Sequence, residues 1–131
     1  MDVLTRLTSE HDTLRTLLER IQAAAEARDA TALAASLEAA RPALTDELDT
    51  HIAVEEAEVF ASTAESLGEG LLQPFYEEHV EIRQARDQRY AQLARGAAPF
   101  DASLRLCELV LAHQQREDLM LFPSAREAAY P

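Results

Sequence analysis

The sequence predicts an all-α fold, an up-down-up-down antiparallel four-helix bundle. Three observations carry this. Four stretches repeat apolar residues at spacings of three and four. Glycine and proline are scarce, 3 and 5 of 131 residues, which leaves material for few turns and therefore for a few long elements. Four histidines lie inside the apolar stripes. At roughly 1.5 Å of rise per residue they come out level with one another in such a bundle.

The first helix carries Leu4, Leu7, His11, Leu14, Leu18, Ile21 and Ala25 on one face. Asp2 or Thr8 can cap its start, and a short turn before Thr8 with the main helix after it is expected. Arg28-Asp29 ends it. The second reads Leu33, Leu37, Leu44, Leu48, His51, Ile52, Glu55, Val59, and the stripe keeps its phase through Pro42. A helical proline lacks one hydrogen bond and usually kinks the axis. One helix from about Ala30 to Ala64, bent near Glu38–Pro42, is therefore expected, with a break at Arg41 as the alternative. Gly68-Glu69-Gly70 closes it. The third begins around Leu72 with Pro74 in its first turn. It carries Phe75, His79, Ile82, Arg86, Tyr90 and Leu93, and ends at Gly96. The fourth starts at Pro99-Phe100-Asp101 with Asp101 as N-cap. It runs through Leu104, Leu106, Leu109, Val110, His113, Glu117, Met120 and Leu121; Pro123 is a breaking signal, although a last turn through Arg126 is compatible with it.

At 14.5 kDa the chain reads as one domain over residues 1–131, long enough for a single core. Hydrophobic residues make up 47% but aromatics only 5%, so that core is mainly Leu and Ala. The formal charge is −12, and every basic residue is Arg. Such acidity argues against nucleic acid and against anionic membrane surfaces as partners. The lone Cys107 excludes an internal disulfide and reads as packing. No apolar run is long enough for a signal peptide or membrane span, and a cytoplasmic location is expected.

His51 and Glu55 stand four apart, as do His113 and Glu117. On a helix that spacing stacks both side chains on one face, roughly 6 Å apart along the axis. The two copies are offset by 62 throughout: His51/His113, Glu55/Glu117, Glu56/Asp118, Val59/Leu121, Phe60/Phe122, Ser62/Ser124. Glu55 lies about nine residues from the end of helix two and His79 about seven into helix three, so the two are level. His11 near the start of helix one and His113 with Glu117 near the end of helix four share that level. Unpaired carboxylates are costly in a core, and the chain has no Lys to neutralise them. Arg86 can serve one at most. A metal centre stabilises the whole set.

The candidate ligands are thus His11, His51, Glu55, His79, His113 and Glu117. They are too many for one zinc, and calcium or magnesium prefers oxygen. Two Fe ions bridged by Glu55 and Glu117 suit them, with Mn as the alternative. Ferritin-like di-iron bundles use Glu-x-x-His, and no glutamate stands three before a histidine here.

The chain resembles the hemerythrin-like, or HHE cation-binding, family over nearly its whole length. The resemblance rests on Glu10-His11, His51-x-x-x-Glu55-Glu56, Glu78-His79, and His113-x-x-x-Glu117 with Leu121-Phe122-Pro123. It implies a four-helix bundle around a non-haem di-iron centre, with His11 and His51 on one iron, His79 and His113 on the other, and both glutamates bridging. Oxygen-carrying hemerythrins resemble this pattern but have two histidines four apart on the third helix; here the positions four either side of His79 are Phe75 and Arg83. The carriers also differ in the spacing to the helix-four carboxylate.

Each iron then has four protein donors, and an oxo or hydroxo bridge leaves a position open on both. The expected ligands are dioxygen, nitric oxide or peroxide. That favours a sensor or stress-response module over an oxygen carrier, with a peroxide-decomposing (catalase-like) enzyme as the alternative and a metal-free bundle offering a partner surface as the third reading. Tyr76 and Glu78 flank His79. Either can fill the vacant position or shape the entrance, with a surface role the simpler reading for Glu78. Arg86 is expected to snorkel to Asp46 or Glu47.

Overall fold

A computed structural model describes residues 2–129, and no strand occurs among them. They form four helices. Helix α1 is Val3–Glu26 and α3 is Glu69–Ala94. Helix α2 (residues 30–67) is one run of right-handed backbone. It comprises Ala30–Pro42, a π turn at Ala43–Glu47, Leu48–Val54, a second π turn at Glu55–Phe60, and Ala61–Leu67. Helix α4 (residues 100–129) comprises Phe100–Arg116, a π turn at Glu117–Leu121, and Phe122–Ala129.

The helix ends show which local chemistry prevails. Asp2 caps α1 by accepting from Thr5 N–H at 2.7 Å. The expected separate turn before Thr8 is absent, because the Thr8 hydroxyl donates back to Leu4 O (2.9 Å) from inside a continuous helix. Helix α1 ends with Arg28 at φ +54°, and Asp29 then caps α2 by accepting from Ala32 N–H at 3.0 Å. At the end of α3, Gly96 takes φ +80°; its own N–H reaches Leu93 O, and that of Ala97 reaches Gln92 O, both at 3.0 Å. Helix α3 starts three residues earlier than expected, so Pro74 lies in its second turn, not its first. Asp101 is not the N-cap of α4. The helix already begins at Phe100, and the Asp101 carboxylate pairs with Arg28 at 2.6 Å.

Neither proline expected to disturb a helix interrupts one. Pro42 keeps helical angles (φ −59°, ψ −42°) and leads straight into a π turn. Pro123 comes just after a π turn, and α4 continues to Ala129. A π turn shifts the hydrogen-bond ladder by one residue, so a residue without an N–H costs less beside it than in an unbroken α-helix.

The core falls into two apolar clusters. One gathers Leu14, Leu18, Leu37, Ile52, Ile82 and Val110 with their neighbours; the other gathers Leu7, Val59, Phe60, Leu72, Phe75 and Phe122. Cys107 is buried in the first, its Sγ 3.6 Å from Leu18 O, and burial pushes its thiol up to about 12. Arg86 is buried as well, but not against Asp46 or Glu47. It donates to Asp49 (2.6 Å), Asp87 (2.9 Å) and Leu44 O (3.1 Å), the last within the first π turn. Asp49 lies one turn closer to the guanidinium than the exposed pair does.

The positive φ of Gly96 yields a test with an internal control. A Cβ at Gly96 or at Gly70 would meet no atom within 4 Å, so sterics are alike at both sites. Gly96→Ala is expected to lower stability by about 1 kcal/mol through left-handed strain. Gly70→Ala, in right-handed helix, is expected to raise it by about 0.5 kcal/mol. Thermal unfolding of the two variants checks the opposite signs.

Candidate metal centre

Between the two apolar clusters the helices bury His11, His51, Glu55, His79, His113 and Glu117, all six residues singled out in the sequence. Each helix supplies one histidine; α2 and α4 add the glutamates. The four Nε2 atoms point inward onto the two carboxylates. His51 and His79 Nε2 lie 2.9 Å from the two oxygens of Glu55. His11 and His113 Nε2 lie 3.1 and 3.0 Å from the two oxygens of Glu117.

The outer nitrogens are committed elsewhere. His11 Nδ1 faces Asp118 (3.0 Å), His51 faces Glu10 (2.8 Å), His79 faces Glu56 (2.7 Å), and His113 faces Glu78 (2.7 Å). A carboxylate only accepts, so each Nδ1 carries a proton toward its outer partner, and the Nε2 edge of each ring faces the two glutamates. The ring of contacts is closed. Each helix lends a carboxylate to the histidine of the next, from α1 to α2, α2 to α3, α3 to α4 and α4 to α1.

The 62-residue repeat has a structural counterpart. Two of the three π turns begin at the glutamates themselves, at Glu55 and Glu117. Ser62 and Ser124 donate their hydroxyls back to Val59 O (3.0 Å) and Met120 O (2.9 Å) inside those turns. Phe60 stacks on His79 with centroids 5.4 Å apart, and Phe122 stacks on His11 at 5.5 Å. The two halves therefore hold their imidazoles in the same way.

The electrostatics stem from burial. Glu55 and Glu117 are 0% exposed. Burial, helped by the Glu55 carboxylate beside it, pushes Glu117 well above the usual carboxylate range. Burial also opposes ionisation of Glu55. Hydrogen bonds from the Glu117 carboxyl, His51 and His79 outweigh that and hold Glu55 well below the usual range. The two carboxyls thus shift in opposite directions, as expected of an acid pair in contact. Burial lowers His113 to about 4, against the pull of Glu78. It likewise lowers His11, with the His51 charge adding to it. No donor meets either Glu117 oxygen in hydrogen-bond geometry. Four Nε2 atoms and four carboxylate oxygens thus meet across about 3 Å, an arrangement that cations satisfy and apolar packing does not. Two sets of four donors result: His11, His51, Glu55 and Glu117, and Glu55, His79, His113 and Glu117. Either can hold a metal ion, and the donor types suit a first-row transition metal.

Glu78 departs from its surface reading. Its side chain is only 18% exposed, held between His113 Nδ1 and the Arg116 guanidinium. The pairs Glu10-His11 and Glu78-His79 are the available signal in the sequence; what they lack is the crossing to a neighbouring helix. Tyr76 is partly exposed and packs edge-on against Phe60 at 4.8 Å, and none of its hydrogen bonds reaches the centre. Phe75 sits edge-on to His113 at 6.1 Å in the apolar cluster. Since Glu78 orients His113, Glu78→Ala is expected to weaken metal binding roughly 10–100-fold while leaving helix content unchanged. Competition against a chelator, with circular dichroism alongside, measures both.

The family model of the hemerythrin HHE cation-binding domain matches residues 2–125. No curated protein and no solved structure gives a significant match. A match over nearly the whole chain, on a helical fold with two sets of buried His/Glu donors, places it in a family: the chain belongs to the hemerythrin HHE cation-binding domains.

Proposed function

We propose that the chain is one antiparallel, up-down-up-down domain holding two iron ions, His11 and His51 on one, His79 and His113 on the other, with Glu55 and Glu117 bridging. The observation that carries this reading is the sharing of both glutamates between two otherwise separate donor sets. Manganese is the chemical alternative. The short connections support the antiparallel order, since Gly68 alone separates α2 from α3. Iron in such a site would supply one-electron chemistry at adjacent ions and positions for dioxygen, nitric oxide or peroxide.

The donor sets are balanced, two histidines and both glutamates each. Phe75 and Arg83 add no imidazole on α3, so neither side is closed by a third histidine. That balance favours a sensing or stress-response module over an oxygen carrier. The same balance favours a second reading, decomposition of peroxide to water and dioxygen, because two equivalent open ions can act on one small molecule together. The chain's own part is to aim the four Nε2 atoms and both glutamates at one layer and to surround that layer with apolar side chains.

Three measurements test the reading. Protein produced in iron-replete medium is expected to contain about two iron ions per chain, with a near-ultraviolet charge-transfer band; one tight zinc and no iron would overturn this. Glu55→Ala or Glu117→Ala removes a donor from both sets and is expected to lose more iron than His11→Ala, which removes one donor from one set. Exposure to air is expected to give a stable oxidised form that evolves gas from added peroxide. A reversible oxygenated spectrum that bleaches under argon, with no gas evolved, would return the protein to the carriers.

A further inference from the structure

The six central residues have an opening to one side. A cavity of about 520 Å³ lies against five of them, all but Glu55, with Ser9 and Thr13 of α1 and Asp46, Glu47 and Thr50 of α2 at its margin. Leu48 and Ile82 form part of its wall, and Gln114 and Glu117 of α4 line it from within. No Arg is among the residues that line it.

Four residues that line this cavity carry oxygens that no donor meets in hydrogen-bond geometry among the described residues. Asp46 and Glu47 are exposed and form no ion pair among the described residues; the nearby Arg86 is instead engaged by Asp49 and Asp87. Gln114 is 3% exposed, and its Oε1 is buried without a hydrogen bond. Both oxygens of Glu117, 0% exposed, are likewise without a donor. Glu10, also on the cavity, is already taken by His51 and lies 4.0 Å from Arg6. Of the outer carboxylates elsewhere, Glu78 pairs with Arg116 and Asp118 lies 3.9 Å from Arg15.

Unpaired oxygens at the rim, on the wall and on the floor of one cavity match a hard divalent cation better than any anion. A rim of one sign also concentrates the opposite charge from solution. We propose that the cleft between α1 and α2 is the route by which a divalent cation reaches the His/Glu centre, with Asp46 and Glu47 as the capture pair and Gln114 Oε1 as an oxygen donor on the way. The inference rests on the metal reading of the centre and adds to it a loading path. Asp46 and Glu47 act on the rate at which the centre fills, while the amount held is set by the six inner residues.

The test monitors loading of the metal-free full chain with Co²⁺, whose visible absorption reports its arrival. D46N/E47Q is expected to load about tenfold more slowly at low salt and to reach the same final Co²⁺ content. The gap should narrow as ionic strength passes about 0.15 M, where the Debye length is near 8 Å. A control, E26Q/E108Q, removes the same charge from exposed positions off the cavity and is expected to load at the wild-type rate. Gln114→Leu is expected to slow loading with little dependence on salt, its helix content checked by circular dichroism. Wild-type loading by D46N/E47Q, or equal slowing of the control, overturns the proposal. A wild-type chain that takes up no Co²⁺ would instead overturn the metal reading itself.

Discussion

Four imidazole Nε2 atoms crowded against four carboxylate oxygens is the constraint on which the rest of the molecule depends. The Nδ1 protons are committed to Asp118, Glu10, Glu56 and Glu78, and no donor meets either oxygen of Glu117 in hydrogen-bond geometry. A hydrophobic core would reject such a layer unless positive charge stood inside it. The protein meets the demand by holding two adjacent sets of four donors ready for cations.

The outer carboxylates do more than set tautomers. Each of the four contacts crosses from one helix to the next around the bundle, so rotating or sliding any helix breaks two of them: the one it lends and the one it receives. Leucine–alanine packing is tolerant of small shifts; these contacts, at 2.7–3.0 Å, are not. The layer therefore registers four helices whose apolar faces alone would pack in several ways, a role best attested for buried polar groups in helical assemblies. The two halves share this plan closely, with Phe60 and Phe122 as backing for His79 and His11. The plan diverges two turns deeper. Leu18, seven residues past His11, packs in the apolar cluster, whereas Arg86, seven past His79, reaches Leu44 O in a π turn.

Much of this is legible in the chain. The three-and-four spacing and the level of the four histidines identify the bundle and the six inner residues, because helix periodicity and rise are local and cumulative. The outer contacts are not legible as contacts: Glu78 precedes His79, and only the packing of α3 against α4 aims it at His113. Nor are the π turns. The rule for α-helices misjudges Pro123 as a stop, since it lies beside a stretch where the ladder has shifted. Proximity along α2 points Arg86 to Asp46 or Glu47, while the chosen partner, Asp49, depends on how that helix is turned.

The π turns supply the last link between backbone and site. A widened turn beginning at Glu55 or Glu117 changes the rotation between that glutamate and the residues after it, so the Phe five positions on is redirected. In a regular α-helix, residues five apart diverge by about 140°. Here Glu55 points into the layer while Phe60 stacks on His79 of α3, and Glu117 does the same while Phe122 stacks on His11 of α1. The turn lets one helix present a carboxylate to the centre and an aromatic lid to its neighbour's imidazole. Serine hydroxyls at 62 and 124 bond back to carbonyls within it. The widened turns are placed where they order the donors, as expected of π turns at functional sites, and the repeat of 62 residues is the sequence record of that geometry.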